Sequence, residues 1–95
     1  MKFKPAPSTY NGQRIEPDEF AFIQVSTNDV SGIVFHCRGN PSRPRLCSIP
    51  IRRGEPLTGT FGWDGNMQEP TITPSIGCDQ RCGWHGHLIK GEITP

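Results

Sequence analysis

Proline and glycine set the limits on this chain. Ten prolines and eleven glycines are spread through its 95 residues. Pro breaks helices and Gly weakens them, so long helices are excluded and short strands joined by many turns are expected. A chain of this length makes one domain with a limited core. Only 33% of it is hydrophobic. Small loop-rich domains commonly lean on a disulfide or a metal, which directs attention to the four cysteines.

The compartment decides between those two staples. The opening MKFKPAPSTYNG has charges but no apolar h-region, so it does not read as a signal peptide. No apolar run approaches the ~20 residues that a membrane span needs. The expectation is a cytoplasmic, non-secreted protein without a membrane partner, where clustered cysteines bind metal more often than they form disulfides. The net charge of +1 gives no global attraction to nucleic acid or membrane.

Residues 1–18 read as an irregular arm, because Pro5, Pro7 and Pro17 block regular structure and Asn11-Gly12 signals a turn. Residues 19–95 read as one mainly β domain with few or no helices. EFAFIQVS (19–26), GIVFHC (32–37) and LCSIPI (46–51) are the first three strands. Alternation in the second puts Ile33, Phe35 and Cys37 on one face and Val34 and His36 on the other. TFGWDGN carries a short strand, and EPTITPSI is extended because Pro70 and Pro74 disfavour helix. WHGHLI and EIT form a closing hairpin with Lys90-Gly91 as its two-residue turn.

Cysteine and histidine crowd into CDQRCGWHGHLIKGEI (78–93). Structural zinc takes four Cys or His ligands, commonly as two local pairs. Cys82 and His85 make a compact C-x2-H pair, and Cys37 and Cys47, at the ends of two strands, make the second. The predicted ligands of a structural zinc are therefore Cys37, Cys47, Cys82 and His85, with Cys78 and His87 as second choices. One or two disulfides are the alternative use of an even cysteine count. His36 reads as a surface or packing histidine. Trp63 and Trp84 read as structural, one capping the core and one shielding the metal.

A catalytic zinc needs an open position and an acid–base partner. The chain has no HExxH, no H-x-E with P-C-x-x-C, and no Glu beside a ligand pair. The sequence therefore points away from an enzyme. A basic stretch, Arg38, Arg43, Arg45, Arg52 and Arg53, has no acid among residues 38–53. It can offset thiolate charge at the zinc, form a surface for a phosphate or acidic partner, or be a solvated loop.

Read in order, IVFHC, LCSIPI, WDGN, EPTITPSI and CGWHGHLIKGE resemble a family of small proteins of unknown function from phage and prophage genomes and from bacteria. The resemblance covers residues 32–93. It implies a mainly β, zinc-binding protein. Some related domains accompany ubiquitin-like conjugation components in bacterial operons, and some phage members bear the label "ammonia monooxygenase", a membrane enzyme that a chain without a span does not match. RGNPSRPR departs from the family, which has a cysteine-rich knuckle after the first cysteine. The expectation is a phage-encoded zinc-binding adaptor that meets a host or phage protein through the Arg38–Arg53 surface. Three alternatives stand beside it. One is a small zinc-dependent hydrolase-like enzyme with His87 near an open metal position. The others are a nucleic-acid-binding zinc module and a virion part held by disulfides.

Overall fold

A computed structural model describes residues 2–26, 29–36, 46–54, 59–77 and 85–94. Eight strands follow one another: β1 Lys4–Pro5, β2 Glu19–Ser26, β3 Asp29–His36, β4 Leu46–Arg53, β5 Phe61–Trp63, β6 Ile72–Gly77, β7 His85–Ile89 and β8 Glu92–Thr94. Each lies beside its neighbour in sequence, in the order β1 to β8. The described residues contain no helix, in line with the proline and glycine content, and so none long and apolar enough to cross a membrane.

Period-2 patterning sets the inner face. Along β4, Cys47, Ile49 and Ile51 are buried while Ser48, Pro50, Arg52 and Arg53 are exposed. The main core joins Phe20, Phe22, Ile33, Phe35, Trp63, Ile72, Ile76 and Leu88. β3 is covered on both sides. Ile33 and Phe35 enter that core, and Val34 packs on the other face with Ile15 and Ala21, beside Tyr10 and Leu46. The N-terminal arm supplies much of this second cover, which explains how β3 is apolar on both faces.

The arm also joins the two ends of the sheet. Lys4 N–H donates to Asp18 O (2.9 Å) and Ala6 N–H to Phe20 O (2.8 Å), on the β2 side. Phe3 N–H donates to Gly91 O (2.7 Å), and Lys2 bridges to Glu92 of β8. Between these bonds the Phe3 ring is 2% exposed, its centroid 5.7 Å from that of Phe35.

β4 is the pivot of the sheet. It pairs antiparallel with β3 as far as Gly32↔Pro50, then parallel with β5 from Ile51↔Phe61 onward. Pro50 sits at the change of partner, where a residue without an N–H fits because one ladder is ending. The β7–β8 hairpin turns on Lys90-Gly91, as the sequence predicts, between the pair Ile89↔Glu92. Lys90 (φ 49°) and Gly91 (φ 75°) are both left-handed, the arrangement of a type I′ turn.

Candidate active site

The least regular pairing in the sheet lies between β6 and β7. Ile72 is in register with Leu88, and Ile76 with Gly86. Four steps along β6 thus oppose two along β7, and Thr73, Pro74 and Ser75 face the single residue His87. This is a bulge, and a proline is tolerated in it because the ladder is already interrupted. Bulges re-aim side chains and are common beside active sites. Stepping from Ile76↔Gly86 brings Ser75 toward His87, and stepping from Ile72↔Leu88 brings Thr73 toward it, with the register shifting between the two.

The bulge has a firm base. Ile72, Ile76 and Leu88 are at most 1% exposed and fix the inward face of both strands. Ser75 and Gly77 alternate with Ile76 and so lie on the outer face, with Ser75 half-buried. His87 alternates with buried Gly86 and Leu88 and is exposed. Its partner on the far side is Thr94 of β8, and Glu92 lies two residues before Thr94 on that strand. Just upstream, Lys90 N–H donates to Thr71 Oγ1 (2.9 Å) and Gly91 N–H to Pro70 O (2.9 Å), tying the start of β6 to the β7–β8 turn. The Asp64 carboxylate accepts from Asn66 N–H (3.0 Å) and Thr71 N–H (3.2 Å), and Trp63 Nε1–H donates to Asn66 O (3.1 Å). WDGN is thus a built turn that holds the entry to β6.

A second serine and histidine share a face elsewhere. Val34↔Ser48 and His36↔Leu46 are successive pairs on the outer side of β3 and β4, so Ser48 and His36 are diagonal neighbours. His36 Nε2, however, is 2.6 Å from Ile15 O and is held by the arm. It is a packing histidine, as the sequence suggests. Ser75 and His87 share the outer face at the register shift between β6 and β7, with Ser75 half-buried and His87 exposed.

The residues predicted as zinc ligands divide into two groups. Cys37, Cys78 and Cys82 lie outside the described residues, as do Trp84, Arg38, Arg43 and Arg45. Cys47 is 2% exposed, faces the core opposite Phe35, and is disulfide-bonded, with its partner outside the described residues. His85 opens β7 at the register position of Gly77. Arg52 and Arg53 are exposed at the end of β4. Among the described residues no group of three His, Cys, Asp or Glu is placed to hold a metal ion.

Sequence reasoning passed over Ser75. A lone serine in TPSI has no G-x-S-x-G context, and the bulge that singles it out exists only once β7 is in register.

Comparison with known families gives a match to a model described as "Bacterial ubiquitination-like system serine protease (BubE)", over residues 7–95. No curated protein and no solved structure matches the chain. The match overturns the expectation of a phage-encoded zinc-binding adaptor: the family is described by a bacterial system and by a serine protease. Cysteine and histidine density drew that reading toward metal, while the family's description rests on a hydroxyl nucleophile. The hydrolase-like alternative fits the match better. With all but its first six residues covered, the chain belongs to the bacterial ubiquitination-like system serine protease (BubE) family.

Proposed function

We propose that this chain is a serine hydrolase acting on a peptide bond, with Ser75 as nucleophile and His87 as general base. The observation that carries the proposal is the register shift of β6 against β7, beside which Ser75 and His87 lie on the outer face of neighbouring strands. The family's description supports the reaction class, and supports a protein substrate within a bacterial ubiquitination-like system.

A serine hydroxyl is a weak nucleophile until a neighbouring base takes its proton. In the proposed cycle Ser75 Oγ attacks the carbonyl carbon as His87 accepts the hydroxyl proton. The C–N bond then breaks, and the leaving amine takes that proton. Water enters, gives a proton to His87 and attacks the acyl ester. Ser75 Oγ leaves, regains the proton, and frees the carboxylic acid. Packing of Ile76 and Leu88 beneath the two strands limits the motion of the pair, which is what an effective intramolecular proton transfer requires.

A fluorophosphonate probe tests this, since it phosphonylates an activated serine. The expected adduct maps to Ser75 by peptide mass spectrometry. Ser75→Ala abolishes it, and His87→Gln slows labelling about 100-fold or more, while Ser48→Ala labels normally. Labelling that survives Ser75→Ala undiminished rejects the assignment. A larger loss for His85→Gln than for His87→Gln would move the base to His85.

A further inference from the structure

Beyond its last pair with β4, Gly32↔Pro50, β3 continues back through Ser31, Val30 and Asp29 beside β2. β4 continues through Ile51, Arg52 and Arg53 beside β5. The two strands part there, and a groove of about 780 Å³ opens between them. Its walls are Asp29 and Val30 on one side and Ile51, Arg52 and Arg53 on the other, with Trp63 and Met67 also lining it.

Three properties of the groove point to one kind of occupant. First, its walls are two strand segments whose mutual ladder has ended. A sheet that splays in this way offers an added strand a place along its main chain. Second, it has apolar lining. Ile51 and Trp63 are core residues, and Met67, 40% exposed, is an adaptable thioether at the rim. Third, it is positive, with two arginines against Asp29. Arg53 is placed deliberately. Gly65 has φ 85°, and a Cβ there would come within 2.6 Å of Arg53 Nε. The glycine lets the guanidinium lie against the turn. Among the described residues no ion pair engages Arg53. None of these residues belongs to the Ser75–His87 pair.

We propose that this groove binds an extended peptide segment carrying carboxylates and apolar side chains in alternation. The carboxylates meet Arg52 and Arg53, whose planar forks suit them, and the apolar side chains meet Ile51, Trp63 and Met67. Nucleic acid is disfavoured as occupant, because the Trp63 ring packs on Phe22 with centroids 5.1 Å apart and base stacking needs an open aromatic face. The proposal stands independently of the catalytic assignment.

The test is fluorescence anisotropy with a labelled hexapeptide of alternating leucine and glutamate. It is run on the intact chain and on Ser75→Ala, which removes the proposed nucleophile and with it any cleavage. Binding is expected for both, equally, so a failed catalytic assignment leaves this result standing. Arg53→Ala is expected to weaken binding about ten-fold or more, and Arg52→Ala similarly, from loss of a charge-assisted contact. Both arginines are exposed, and unchanged thermal transitions establish that the variants fold. A leucine–lysine hexapeptide should not bind. Absence of binding overturns the proposal. So do equal binding of the lysine peptide, indifference to both arginine variants, and preferential binding of a single-stranded oligonucleotide.

Discussion

Replacing Phe3 by alanine tests whether the N-terminal arm is part of the fold or an appendage. The ring is 2% exposed and packs on Phe35 in the main core. Burying a phenylalanine contributes about 1.5–3 kcal/mol by transfer alone, and the cavity raises the cost of Phe→Ala to about 3–5 kcal/mol. A domain of 95 residues has a total stability of about 5–14 kcal/mol. The substitution therefore removes a large fraction of it. At roughly 4–8 °C per kcal/mol for a domain of this size, the midpoint should fall on the order of 15–30 °C. The assay is thermal unfolding by circular dichroism, paired with amide exchange. The Phe3 amide, bonded to Gly91 O, should be protected in the wild type and fast in the variant. Lys2→Ala, at an exposed neighbour, serves as control. A midpoint shift below about 5 °C for Phe3→Ala, well short of the cavity cost, refutes the reasoning and makes the arm peripheral.

Other outcomes follow from the same structure. Lys90→Asn keeps the left-handed turn while replacing a residue that is strained at φ 49°, and should raise the unfolding free energy measured in a denaturant titration by about 0.5–1 kcal/mol. Gly91→Ala, at φ 75°, should cost about 1–2 kcal/mol in the same measurement. Ile76→Ala, beneath the bulge at 0% exposure, should cost about 2–5 kcal/mol in chemical denaturation and slow fluorophosphonate labelling of Ser75. Lys2 Nζ donates to the Glu69 carboxylate; that hydrogen bond, and then charge attraction, holds Glu69 below its ordinary pKa and lifts Lys2 above its own. The pair's small, exposed contribution should therefore fade as pH falls through Glu69's lowered value, and again as pH rises through the lysine's raised one. Melting curves of wild type and Glu69→Gln across pH, which converge at both extremes and in high salt, check this.

Much of the sheet was legible because its signals are local. EFAFIQVS and LCSIPI declare strands by residue type and alternation, and Lys90-Gly91 declares a turn by its dipeptide. The parallel pairs β1–β2 and β4–β5 leave no such trace, because register between segments is decided by tertiary packing. Phe3 stands alone between two lysines, with no periodicity to mark it as core. The site was harder still. Cysteine and histidine spacing is visible in one dimension and pulled the reading toward zinc, whereas Ser75 gains meaning only from how many residues of β6 oppose His87. Of the predicted ligands, His87 is a second choice and lies on β7 at the register shift.

The contact between Phe3 and Gly91 has a consequence for how the protein is made. Strands added each beside the last can dock as they leave the ribosome, with little loop to close at any step. Phe3 is synthesised well before Gly91 and has to wait for it. Until then the apolar pocket it fills stays open to whatever else binds aromatic rings. The domain acquires its full stability only once Gly91 has emerged, and whatever slows synthesis of the intervening residues prolongs the interval in which chaperones engage it.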